Sequence, residues 1–118
     1  MAFSEYLADR VRQRLSGKGK VEEKKMMGGL VFMVNEKMCI GVDTDRKTGV
    51  DRIMVRVGKE VYDDLLGMKG CREMDFTGRT MKGFVFVYPE GIDDDQDLDF
   101  WVEKAIWFNQ FAKKSKKK

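Results

Sequence analysis

At 118 residues the chain has the size at which one hydrophobic core is expected, and an apolar share of 42% beside a charged share of 36% excludes a disordered segment. No stretch approaches the roughly 18 apolar residues that span a bilayer, and no basic segment leads into an apolar run, so a cytoplasmic protein with no membrane attachment is expected. The net charge of +3 comes from Lys113, Lys114, Lys116, Lys117 and Lys118; removing these five charges leaves −2, so residues 1–112 read as one nearly neutral domain and 113–118 as a lysine-rich tail.

In chain order, Phe3, Leu7, Val11 and Leu15 recur every four residues, with Ser4 placed as an N-cap and Gly17 as a stop, which predicts an amphipathic helix. Its other face carries Arg10, Arg12 and Arg14. Residues 21–26 and 30–34 read as two strands around Gly28 and Gly29, and a turn at 35–37 leads to a third strand at 38–42. A polar loop over 43–51 precedes a fourth strand at 52–57. There Ile53, Val55 and Val57 alternate with Arg52, Met54 and Arg56, the pattern of a sheet with one buried face. Val61, Leu65 and Leu66 predict a short helix ending at Gly67, and 68–78 reads as a loop. The run Phe84, Val85, Phe86, Val87, Tyr88 makes 81–88 the strongest strand, ended by Pro89. Carboxylates at 93–95 favour the start of a last helix, expected to run to about residue 112. The order predicts an α+β fold: a single antiparallel β-sheet of about five strands packed against N-terminal and C-terminal helices.

The last helix has two apolar faces. Leu98, Trp101, Val102, Ala105 and Ile106 share one side, and Phe100, Trp107 and Phe111 lie roughly opposite. The first face should pack on the sheet. The second needs the first helix, a protein partner or a second copy forming a homodimer, since three large rings in water would make an exposed patch.

Little in the chain points to catalysis. There is no histidine to act as a base for Cys39 or Cys71, and both thiols are expected to be reduced. Cys39 reads as a small hydrophobe. Cys71 is expected in a loop where Lys69 and Arg72 would lower its pKa. Gly28 and Gly29 lack the third glycine of a dinucleotide loop and read as a tight turn. The five carboxylates between Asp93 and Asp99 lack the glycine and terminal glutamate of a calcium loop and read as helix-start charge. No catalytic residue, metal ligand or cofactor is assigned. Arg79 and Lys82, flanked by Gly78 and Gly83, form a candidate anion contact. Arg10, Arg12, Arg14 and the five tail lysines are candidate phosphate contacts for weak, sequence-independent nucleic-acid binding.

Residues 24–35, 37–42 with 54–57, and 74–87 together resemble the N-terminal domain of the TfoX/Sxy competence regulators. Lys24-Lys-Met-Met-Gly-Gly-Leu-Val-Phe-Met-Val-Asn35 is similar to the family's Met-Phe-Gly-Gly signature. Lys37-Met-Cys-Ile-Gly-Val42 with Met54-Val-Arg-Val57 follows, and Met74-Asp-Phe-Thr-Gly-Arg-Thr-Met-Lys-Gly-Phe-Val-Phe-Val87 looks like its Gly-Arg-Pro-Met-Lys-Gly-Tyr segment. Met27, Glu36 and Thr80 depart from the usual phenylalanine, glycine and proline. Longer members continue into a helical domain, so the chain reads as a stand-alone N-terminal domain. The resemblance implies a non-enzymatic regulator of DNA-uptake genes that acts through protein contacts.

Overall fold

The computed structural model describes residues 3–26, 28–76 and 78–112, with Phe76 and Arg79 described by their backbone alone. The first helix, α1 (Glu5–Leu15), starts where the Ser4 hydroxyl accepts the Leu7 N–H at 3.1 Å, and it buries Leu7, Ala8, Val11 and Leu15. Four strands follow: β1 (Val21–Met26), β2 (Gly29–Val34), β3 (Lys37–Thr44) and β4 (Asp51–Arg56). The short helix α2 (Tyr62–Leu66) leads to β5 (Cys71–Phe76) and β6 (Arg79–Val87), and a 3-10 turn at Pro89–Gly91 precedes α3 (Asp95–Asn109).

All strands pair antiparallel in the order β1-β2-β3-β4-β6-β5. The α+β reading therefore holds, with six strands where about five were expected. The added strand is β5, which occupies part of the expected loop. It lies at the sheet edge and carries Arg72, Glu73 and Asp75, and such charge keeps an edge from pairing with other chains while hiding the apolar pattern of a strand. Its pairing with β6 begins at Phe76 and Arg79, so β6 also starts two residues before the expected position.

Cross-strand register sorts the two faces of the sheet. Ile53 pairs with Val87 and Val55 with Val85, and these join Leu30, Phe32, Ile40 and Val42 in one core with the buried sides of α1 and α3. The face expected to be mostly wet is partly buried instead: Met54 pairs with Phe86 there, and Met74 completes a second cluster bordered by Met38, Met81, Phe84 and Tyr88. Several glycines are required by space, among them Gly29 and Gly58. A Cβ on Gly29 would lie 2.2 Å from the Val42 carbonyl oxygen, and one on Gly58, at φ +87°, would lie 2.4 Å from the Phe108 ring. Gly28, at φ +78°, sits in the β1–β2 hairpin turn, and Gly29 opens β2 opposite Met26.

Helix α3 ends at Asn109, before the expected residue 112. The Asn109 side chain donates to the Val34 carbonyl at 3.0 Å, and Lys37 Nζ donates to the Asn109 carbonyl at 3.0 Å. Lys37 of β3 thereby caps the last helix carbonyl, which also accepts the Ala112 N–H at 3.2 Å in a tighter final turn. Among the described residues, no helix is long and apolar enough to cross a membrane.

Candidate functional site

The outward face of α3 is smaller than its periodicity implies. Phe100, Trp107 and Phe111 do not form one patch: Phe100 is half-buried, stands edge-on to Trp101 at 5.2 Å between centroids and is covered by the Lys104 ammonium at 5.3 Å. Trp107 and Phe111 remain 43% and 60% exposed and pack edge-to-face on each other at 5.4 Å. A shallow depression beside Trp107 is lined by Lys18, Val102, Glu103 and Ile106.

Helix α1 meets the acidic start of α3 instead of these rings. Arg10 pairs with Asp95 at 3.1 Å, and Arg14 with Asp95 at 3.0 Å and Asp99 at 2.6 Å. Asp94 caps α3 by accepting the Gln96 N–H, so these carboxylates serve the helix start as expected. Arg12 is held by Asp9 and, in a two-pronged contact at 2.6 and 2.8 Å, by Glu23, whose carboxyl it keeps below the usual range. The three arginines proposed for phosphate are thus each engaged with carboxylates. Lys113, Lys114, Lys116, Lys117 and Lys118 lie outside the described residues, as does the side chain of Arg79; Lys82 is exposed on β6.

One concavity was not anticipated from the sequence. It is an open groove of about 790 Å³ on the sheet face opposite the main core, floored by Val31, Met54, Met74 and Phe86. One wall is a polar network at the ends of β3, β4 and β6. Arg52 grips Asp43 with two parallel bonds, Nε to Oδ1 at 2.9 Å and Nη2 to Oδ2 at 3.1 Å, while its Nη1 donates to the Tyr88 hydroxyl at 2.8 Å. Tyr88 in turn donates to Asp45 at 3.0 Å. The backbone N–H of Lys47 holds the Asp45 carboxyl below its ordinary range, helped by Tyr88 and Arg52. The Arg52 guanidinium lies 3.5 Å over the Phe86 ring, and Arg72 lies 4.8 Å over Tyr88. A usable signal for this site existed in the sequence: Arg52 and Met54 share a strand face, as do Phe84, Phe86 and Tyr88.

Cys71 departs from expectation and Cys39 does not. Cys39 is buried where the β2–β3 register skips a residue, and burial pushes its thiol up to about 12. Cys71 lies in β5 and not in a loop, and burial pushes it up to about 11, the reverse of the lowering expected from Lys69 and Arg72. Both thiols should therefore resist a thiolate-trapping disulfide reagent at neutral pH in the folded protein and react promptly once urea is added. Fast labelling of Cys71 without denaturant would contradict its burial.

A single antiparallel sheet with a helix at each end of the chain places this protein among small α+β domains. The chain belongs to the TfoX N-terminal domain family, whose sequence profile matches residues 13–108. That agrees with the resemblance carried by the Gly28-Gly29 and Gly78–Gly83 segments. A crystal structure of a protein from Pseudomonas syringae is similar in fold, with a TM-score of 0.57 at 14% identity over 82% of this chain and 93% of that one. No curated protein sequence matches the chain.

Proposed function

We propose that this domain is a non-enzymatic regulatory module, of the kind that governs expression of DNA-uptake competence genes, and that it acts by binding another protein. Membership of the TfoX N-terminal domain family supports the regulatory part of this reading. The observation that carries the contact mechanism is the Trp107–Phe111 pair: two large rings packed edge-to-face at the end of α3 and still 43% and 60% exposed. Exposed aromatic clusters of this kind mark interaction surfaces, and tryptophan is enriched among the few side chains that dominate binding energy.

The test uses the source organism with the gene deleted. Restoring the wild-type chain should raise transcripts of DNA-uptake genes, whereas a Trp107→Glu, Phe111→Glu double variant should leave them near the deletion level. Loss of two hot-spot side chains lowers partner affinity by a factor on the order of 100. The variant should still show one cooperative thermal transition, because neither ring belongs to the buried core. Full complementation by the double variant would rule out this surface, and transcripts indifferent to the deletion would rule out the regulatory role.

A further inference from the structure

We propose that the outer edge of β1 pairs antiparallel with the same edge of a second copy of this chain, joining the six strands of each copy into one continuous sheet across a two-fold axis beside Glu23. This surface is separate from the rings at the end of α3. Edge strands are normally blunted by a bulge, a proline or a covering element, and β5, at the other edge, has a register shift between Glu73 and Asp75. Strand β1 has no such device. It pairs with β2 without a shift from Val21 opposite Val34 to Met26 opposite Gly29, and Glu22 to Met26 are all exposed.

The direction of the backbone groups fixes which residues can bond outward. The Asn35 N–H donates to the Lys20 carbonyl at 2.8 Å, so the even-numbered residues of β1 turn their N–H and C=O groups to β2, and Val21, Glu23 and Lys25 turn theirs outward. Two identical edges can join antiparallel only about an axis normal to the sheet, so opposed residues share a face and are both odd-numbered or both even-numbered.

Charge then selects the register. Centred on Glu23, it sets Val21 opposite Lys25 and Glu23 opposite itself at the hydrogen-bonded positions, and Glu22 opposite Lys24, twice, at the closer positions between them. Both closest contacts join opposite charges, and neither Glu22 nor Lys24 has an ion pair or hydrogen-bonded side chain among the described residues. The two Glu23 carboxylates meet at the wider spacing, and each is already neutralised by Arg12 at 2.6 and 2.8 Å. Centring on Glu22 or on Lys24 would instead set that residue against itself at the closer spacing with no counter-charge.

Sedimentation velocity of the full chain over a rising concentration series is expected to show reversible exchange between monomer and dimer, weak because so short an edge buries less than a standard interface. Lys24→Glu and Glu22→Lys each create two like-charge contacts and should weaken the dimer about tenfold or more; the two together restore opposite charges and should return the affinity to within about threefold of wild type. Lys69→Glu, the same change in net charge as Lys24→Glu at an exposed site away from this edge, should leave dimerisation unchanged. So should the Trp107→Glu, Phe111→Glu double variant, which separates this surface from the one proposed for a protein partner. A monomer at every concentration, a combined charge swap no tighter than either single variant, equal weakening by Lys69→Glu, or a dimer lost only in the ring variant would overturn the assignment.

Discussion

Replacing Trp101 with alanine is expected to cost about 3–5 kcal/mol, the range for removing a fully buried large aromatic side chain. Trp101 is 1% exposed and is the largest wholly buried side chain in the protein, set in the core shared by α1, α3 and the sheet. Alanine there loses the transfer energy of the indole and leaves a cavity that the surrounding strands, tied by their ladder bonds, fill only in part. Against a typical total stability of about 5–15 kcal/mol, such a loss leaves the domain marginal at best. A urea titration followed by circular dichroism should show a much lower midpoint with an unchanged slope. Trp107→Ala is the comparison and should cost about half as much or less, because 43% of that indole already lies in water. Similar losses from the two variants would mean that α3 is not docked by Trp101.

Asp43→Ala should destabilise the protein by about 2 kcal/mol, mainly through what it strands. Breaking a fully buried ion pair costs about 3–5 kcal/mol. Here the side chains of Asp43 and Arg52 keep 20% and 15% of their exposure, and Arg52 retains Tyr88 and Asp45, so the smaller figure applies. Adding Arg52→Met to Asp43→Ala should recover most of the loss, because a thioether needs no counter-charge beside Met54 and Phe86. Thermal or urea unfolding of the three variants forms the cycle. A single variant as stable as wild type, or a double variant worse than Asp43→Ala, would show that the guanidinium does not depend on Asp43.

The difference between Trp101 and Trp107 shows how far helical periodicity reaches. It separated the two sides of α3 correctly, but it grouped Phe100 with Trp107 and Phe111, and only the packed structure places Phe100 edge-on against Trp101. Angle around an axis says which residues share a side; it is silent on how far neighbouring elements reach along that side. The groove escaped for a related reason. Its polar wall joins Asp43, Asp45, Arg52 and Tyr88, and the last is 36 residues from Arg52, so no local spacing connects them. Each alone reads as an ordinary loop or strand residue.

By itself the sequence determined the fold class, the core-facing side of the fourth strand, the capped first helix, the hairpin turn beside Gly28 and the family. All of these follow from local periodicity, backbone sterics or contiguous motifs. Only the tertiary structure decided that 71–76 is an edge strand, that α3 stops at Asn109, that the arginines of α1 neutralise the start of α3, and that a methionine-floored groove lies on the other side of the sheet. Those outcomes depend on which distant groups come within a few ångströms of one another, and hydrogen bonds, ion pairs and burial act only at that range.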